Sequence, residues 1–165
     1  MLLYILLFRV VVVVGESMYD TLHNQDRLLL LSNTVYTEPK QGDIIVASKK
    51  SFANGECIVK RVIATEGQTV EIDFLTGEVK VDGVVLEEDY IYSPTTTNGH
   101  SRYFKQTVGK GQLFVMGDNR SNSLDSRSNE IGLIDEREVL GKAIFLLAPA
   151  KDGIGNPKDR FGVID

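Results

Sequence analysis

Among the residues whose types could do chemistry, the first is a serine at the end of an apolar run. Ser17 comes three residues after the valine run Val10–Val14. A serine hydroxyl is a weak nucleophile at neutral pH and needs an adjacent base. Neither histidine suits that role, because His23 and His100 lie in polar sequence surroundings and are expected on the surface. The search for a base therefore turns to lysine.

Lys60 is the candidate base that strand periodicity offers. In the predicted strand Cys57–Ile63, the side chains of Ile58, Lys60 and Val62 share one face. Burial between Ile58 and Val62 would disfavour the ammonium form and lower the lysine pKa, leaving an amine that accepts a proton. The alternative is an edge-strand lysine whose stem packs on the sheet while its ammonium group reaches water. Periodicity alone favours this alternative.

A third segment with chemical potential is the polar run Gly117–Arg127, directly after the apolar run Leu113–Met116. Acids and arginines at a strand end commonly form packed ion-pair networks that fix local geometry, although a surface loop can share this composition. The residues predicted to support a site are Asp118, Arg120, Asp125 and Arg127. The candidate orienting hydroxyls are Ser121, Ser123 and Ser126.

The composition limits the classes of protein to which this chain can belong. With 165 residues it has room for one domain with a real core. The net charge is -5 and no stripe of lysines and arginines is present, which argues against a nucleic-acid partner. Cys57 is the single cysteine, so an internal disulfide and a cysteine-built zinc site are excluded. We expect neither a cofactor nor a metal.

The elements that must position these residues are predicted to be strands. Short alternating or β-branched runs are separated by turn signals, and no long window has a helical period. The clearest hairpin signal is Asp82-Gly83, since both positions tolerate positive φ. The sequence predicts a mostly β fold, with antiparallel sheets forming a β-barrel-like catalytic core. We assign residues 10–74 and 112–150 to that core, 75–111 to a small β insertion that includes an exposed loop at 91–104, and 151–165 to a polar tail.

The N-terminal residues are apolar from Met1 to Val14 except for Arg9. A transmembrane helix needs about 20 such residues, so this stretch is too short to span a bilayer. Residues 1–9 are predicted to be either the end of a membrane anchor or a hydrophobic lead-in. The five valines that follow favour a strand.

Four blocks in this order resemble bacterial type I signal peptidases: Gly15–Leu22, Gly42–Val46, Val59–Ile63 followed by Gly67, and Gly117–Arg127. The resemblance implies that Ser17 attacks the scissile carbonyl, that Lys60 takes its proton and that Ser123 orients the lysine amine. The substrate pocket that it implies is lined by Val13, Met18, Leu22 and Ile58. Its substrates would be exported preproteins cut after small residues in the Ala-X-Ala manner. The protein would contact membrane lipid through its N-terminal segment, with its catalytic domain on the extracytoplasmic face of the cell membrane.

The sequence departs from the family pattern beside the nucleophile. Asp20 stands where the family usually has proline, and Gly15 stands where some members have an oxyanion-donating serine. The oxyanion hole would then rest on the backbone N–H of Ser17. An alternative function is a catalytically idle relative that acts as an assembly factor for exported surface proteins. A self-cleaving repressor-type serine–lysine protease is disfavoured, because only sixteen apolar-rich residues precede Ser17.

Overall fold

The computed structural model describes residues 7–49, 56–96, 102–150 and 160–164. Those residues form strands joined by turns and two single-turn 3-10 helices, Arg120–Asn122 and Glu136–Glu138. The strands are β1 (Phe8–Val12), β2 (Arg27–Ser32), β3 (Ile44–Ser48), β4 (Cys57–Ala64), β5 (Thr69–Asp73), β6 (Glu78–Val81), β7 (Val84–Val85), β8 (Tyr103–Thr107), β9 (Gln112–Met116), β10 (Ile134–Asp135), β11 (Val139–Ala148) and β12 (Gly162–Val163).

Two antiparallel sheets make up the fold. The larger one has the order β1-β2-β11-β3-β4-β9-β10, with β12 added to β11, and the smaller one has the order β7-β6-β5-β8. The predicted mostly β, antiparallel class is therefore confirmed. The large sheet is open and not closed into a barrel, because β1 pairs with β2 and β10 with β9, and the two outer strands do not meet.

The centre of the large sheet brings the strand that carries Lys60 next to the polar segment Gly117–Arg127. β4 pairs with β3 in a register that sets Lys60 opposite Ile45, and with β9 in a register that sets Arg61 opposite Met116. The polar segment Gly117–Arg127 leaves the end of β9 at that point. A residue of β4 near position 60 therefore lies beside the start of this segment.

The smaller sheet is attached to the same core. Val70, Ile72 and Val79 pack in one apolar cluster with Phe114 and Met116 of β9. The inserted sheet consequently shares a core with the strands that carry the candidate site.

The small sheet also differs in extent from the insertion expected at 75–111. It begins with β5 at Thr69, and β8 takes up part of the polar stretch expected to be an exposed loop. At the predicted hairpin, Asp82 and Gly83 have φ angles of 52° and 80°, as a type I′ turn requires.

The two ends of the described chain differ from simple expectation. β1 begins at Phe8, inside the segment assigned to an anchor or lead-in, and residues 1–6 of that segment lie outside the described residues. Within residues 7–49, 56–96, 102–150 and 160–164, no helix has both the length and the apolar character needed to cross a membrane. At the other end, residues 160–164 return to the sheet as β12 and pack Ile164 against the core. The rest of the tail, residues 151–159 and 165, is outside the described part of the chain.

Candidate active site

The serine lies on a loop whose base is closed by backbone hydrogen bonds. The Val13 N–H donates to the Asp26 carbonyl, and the Gln25 N–H donates to the Val13 carbonyl, both at 2.8 Å. Inside this loop the side chains of Met18 and Leu22 are almost fully buried in the core. Buried apolar side chains on both sides therefore hold Ser17 where the chain leaves β1. We refer to residues 13–26 as the nucleophile loop.

Lys60 reaches this serine from β4. Its Nζ lies 2.6 Å from Ser17 Oγ and donates to the Val59 carbonyl at 2.9 Å. The lysine is only 4% exposed, so the alternative of a side chain that extends its ammonium group into water is wrong. Burial lowers the pKa of Lys60 to about 8, although the nearby carboxylates of Asp125 and Asp118 act in the opposite direction.

This pair has the geometry that proton transfer requires. An amine with a pKa near 8 is partly neutral at physiological pH, and a neutral amine at hydrogen-bond distance can accept a hydroxyl proton. His23 does not occupy that position. The predicted surface position of His23 is wrong, because the residue is buried. Its ring centroid lies 4.7 Å from that of Tyr19, and its Nε2 lies 3.2 Å from Asp20 Oδ1. His100 is not among the described residues.

Asp125 organises the polar segment. Its carboxylate accepts from the Gly117 N–H at 3.0 Å, from Ser123 Oγ at 2.7 Å and from two nitrogens of Arg127, each at 2.8 Å. Burial acts to raise the pKa of Asp125, but these donors, Arg127 foremost, lower it below its ordinary value. The carboxylate therefore stays ionised and fixes the turn that faces Lys60.

Asp118 is held by a residue that the sequence analysis did not select. Arg61 donates to both of its carboxylate oxygens, at 3.0 and 2.9 Å, and Thr21 Oγ1 donates at 2.6 Å. The guanidinium also lies 4.0 Å from the centre of the Tyr90 ring. Asp118 thus connects β4, the nucleophile loop and the polar segment. The sequence did contain one indication of a role for Arg61, since it is a charged residue inside a mostly apolar strand.

Arg120 forms a second buried anchor. It donates through Nε to the Gly117 carbonyl at 3.0 Å, and its terminal nitrogens bind Glu88 and Thr95. Glu88 and Thr95 belong to the chain between β7 and β8, so the inserted region binds the polar segment through Arg120. Sequence spacing carried no indication of this contact, because the partners are 25 or more residues apart.

The candidate hydroxyls have different surroundings. Ser123 was expected to orient the lysine amine, and its described hydrogen bond goes instead to Asp125. Ser126 Oγ accepts from the Val115 N–H at 2.9 Å, and Ser121 Oγ lies 3.0 Å from Ser93 Oγ on the surface. Of the three, Ser123 lies nearest to the backbone of Ser17, because both residues pack against Gly117.

Gly117 and Asn119 join the polar segment to the nucleophile loop. A Cβ added to Gly117 would lie 2.7 Å from Ser123 Cβ, and closer still to Ser123 Oγ and the Ser17 carbonyl oxygen. The Asn119 N–H donates to the Ser17 carbonyl at 3.0 Å, and its side-chain amide donates to the Glu16 carbonyl at 3.1 Å. These hydrogen bonds therefore fix the backbone around Ser17 to the polar segment.

A groove of about 550 Å³ opens beside the dyad. Three of the four predicted pocket residues, Val13, Met18 and Ile58, line it together with Ser17 and Lys60. The fourth, Leu22, is fully buried in the core and is not among the lining residues. The further lining residues are Val11, Val12, Val14, Val46, Glu56, Cys57, Val59 and Leu140. The lining of the groove is thus mostly apolar, and its polar members are Ser17, Lys60, Glu56 and the thiol of Cys57.

Metal ligands are not assembled in the part of the chain that the structure describes. No group of three His, Cys, Asp or Glu side chains there could hold a metal ion.

Comparisons with known proteins show the family of the chain. The sequence model of the family described as signal peptidase, peptidase S26, matches residues 1–148. A probable signal peptidase I-1 of Synechocystis is 38% identical over 143 residues, which cover 82% of this chain and 69% of the relative. Signal peptidase I T of Bacillus subtilis is 37% identical over 155 residues, covering 87% of this chain and 75% of the relative.

A solved structure gives the same result. The crystal structure of a signal peptidase I from Enterococcus faecalis matches with a TM-score of 0.52 and 32% sequence identity, over 64% of this chain and 97% of that one. With a family match that covers most of the sequence, the chain belongs to the signal peptidase family, peptidase S26, and is a serine endopeptidase.

Proposed function

We propose that this signal peptidase removes signal peptides from exported preproteins with a Ser17–Lys60 dyad, and that it cuts after small residues. Family membership supports signal-peptide removal as the activity. The observation that carries the dyad is the 2.6 Å separation of Lys60 Nζ and Ser17 Oγ, at a lysine that is 4% exposed. Proximity and loss of water together make the amine a base for this hydroxyl.

The reaction is acyl transfer in two steps. Neutral Lys60 accepts the Ser17 proton while Oγ attacks the scissile carbonyl carbon, and a tetrahedral intermediate forms. The ammonium then returns the proton to the leaving amine, which departs with the mature protein, and the signal peptide stays esterified to Ser17. In the second step the amine takes a proton from water, the resulting hydroxide attacks the ester, and Ser17 recovers its proton as the acid is released.

The oxyanion of each intermediate is assigned to the backbone N–H of Ser17. In the described part of the chain this N–H donates to no acceptor, although the carbonyl of the same residue accepts from Asn119. Fixing the carbonyl also fixes the direction of neighbouring backbone groups. A donor of this kind is worth about 2.7–4 kcal/mol of transition-state stabilisation.

Small residues before the cut are supported by the groove. Beside Ser17 and Lys60 its walls include the apolar side chains of Val13, Met18 and Ile58, which suit small apolar side chains of a substrate. β1 pairs only with β2, so its other edge is open within the described sheet. An extended substrate can add to that edge through its backbone and insert alternate side chains, as the Ala-X-Ala pattern requires.

Attachment to the membrane, with the site on the extracytoplasmic face, belongs to the same proposal. Alternate valines of β1 and its extension point outward, since Val10 is 60% and Val14 82% exposed. Apolar side chains in such positions are suited to contact with lipid next to a membrane-borne signal peptide.

Cleavage of a synthetic peptide with an Ala-X-Ala sequence tests the proposal. Wild-type protein should cut after the second alanine, whereas Ser17→Ala and Lys60→Ala should each abolish turnover and unfold as cooperatively as the wild type. The matched controls are Ser128→Ala and Lys105→Ala, which do not line the groove and should retain full activity.

Two outcomes would count against this assignment. Substantial turnover by either dyad variant would remove that residue from the dyad. A folded wild type that cuts no such peptide would favour the other candidate, an idle relative that acts as an assembly factor for exported surface proteins.

A further inference from the structure

A buried ion pair connects the C-terminal segment to the base of the nucleophile loop. Arg160 Nη2 lies 2.5 Å from Asp26 Oδ2, and Nη1 lies 3.3 Å from Oδ1. The Asp26 side chain is fully buried, and that of Arg160 is 20% exposed. Asp26 lies within the residues that the family model matches, and Arg160 lies beyond residue 148, where that match ends.

Asp26 is the residue on which the loop closes. Its backbone carbonyl accepts from Val13, and its carboxylate accepts from the His23 N–H at 2.8 Å and from the Ala150 N–H at 2.8 Å. The Asp26 side chain therefore binds three segments: the nucleophile loop through His23, the chain just after β11 through Ala150, and the C-terminal segment through Arg160.

We infer that Arg160 is a positioning residue for Ser17 and acts through Asp26. The kinetic part of this inference rests on the proposed peptidase function, whereas the closure of the loop does not. A fully buried carboxylate needs a charged partner, and removing one member of such a pair is far more disruptive than removing an exposed one. Without Arg160, the Asp26 carboxylate has only backbone N–H donors among its described contacts, and it would draw water into the base of the loop.

The C-terminal segment has further contacts that favour this role over that of a loose tail. The Phe161 ring packs edge-on against Phe145 with centroids 5.0 Å apart, and the Ile164 N–H donates to the Ile144 carbonyl. These contacts hold the segment on β11, so the backbone that carries Arg160 is fixed relative to Asp26.

The test compares Arg160→Gln with Arg160→Lys in the full chain, and uses Arg137→Gln as a matched control. Arg137 also pairs with an aspartate, but its side chain is 90% exposed. Steady-state cleavage of the Ala-X-Ala peptide is measured well below each variant's unfolding temperature. Arg160→Gln should lower kcat about tenfold or more with little change in KM, because misplacement of the nucleophile by about 1 Å can reduce rates about a hundredfold. Arg160→Lys should restore most of the rate, and Arg137→Gln should match the wild type.

Hydrogen exchange of the same proteins separates this inference from the peptidase proposal. The amides of His23 and Ala150 should exchange faster in Arg160→Gln than in Arg137→Gln. If the wild type cut no peptide, the peptidase proposal would fail and the exchange measurement alone would decide whether Arg160 holds the loop. A stability loss in Arg160→Gln with unchanged kcat and unchanged exchange at His23 would reduce the ion pair to general scaffolding and overturn the inference.

Discussion

Replacing Lys60 with methionine measures the energy required to keep an amine at the buried dyad. The pKa of this lysine falls from 10.5 to about 8. Between those two values the unfolded chain holds a proton that the folded protein has released, so the free energy of unfolding rises with pH across this window. Below pH 8 both states are protonated, and the folded state carries the full penalty, which is about 3 kcal/mol at pH 7.

Methionine removes both the penalty and the amine's hydrogen bonds. The two bonds, to Ser17 Oγ and the Val59 carbonyl, contribute roughly 1 kcal/mol each. At pH 7 the Lys60→Met variant should therefore be about 1 kcal/mol more stable than the wild type. At pH 10 less than about 1 kcal/mol of the penalty remains, so the variant should be about 1 kcal/mol less stable than the wild type.

Urea unfolding of both proteins at pH 7 and pH 10 provides the measurement. The quantity of interest is the difference in free energy of unfolding between variant and wild type, since other titrating groups cancel in it. Lys105→Met controls for the substitution at an exposed lysine and should give the same difference at both pH values. If Lys60→Met destabilised the protein equally at both pH values, burial could not be what keeps this amine neutral.

Three other predictions concern the same site. With the Lys60 pKa at about 8, kcat/KM for the peptide should rise about tenfold between pH 7 and pH 9; a flat profile would exclude this lysine as the base. Gly117→Ala should lower kcat/KM about a hundredfold in the same assay, because its Cβ would push the Ser17 backbone away, whereas Gly109→Ala meets only the flexible Gln112 side chain and should be near wild type. Arg61→Gln should reduce the free energy of unfolding by about 3–5 kcal/mol in urea titrations, since it leaves a buried carboxylate unpaired; a loss below about 1 kcal/mol would contradict that reading of the pair.

The strands could be anticipated because they depend on local patterns. Alternation of apolar and polar side chains reports which face of a strand is buried, and the Asp82-Gly83 pair reports a turn geometry that few residues adopt. For Lys60, alternation identified its apolar neighbours but by itself favoured an ammonium group that reaches water. The family resemblance, not the periodicity, favoured the buried interpretation that the structure has.

The remaining parts of the site depend on contacts between distant segments. Arg61, Glu88 and Thr95 bind the polar segment through pairings that span 25 to 57 residues, and no local pattern encodes such partners. His23 was assigned to the surface from its polar neighbours, yet the closure of the nucleophile loop buries it. The sheet was expected to close like a barrel, but sequence alternation does not determine whether the two outer strands meet.

The span between the two dyad residues has a consequence for when the enzyme can act. Ser17 and Lys60 are 43 positions apart, and the amine loses its water only when β4 lies between β3 and β9. In an incompletely folded chain this lysine is hydrated, charged and far from the hydroxyl, so the serine has no base. With the proposed dyad, newly made or damaged copies would therefore be inert towards neighbouring polypeptides, and proteolytic activity would be acquired in the same cooperative step as tertiary structure.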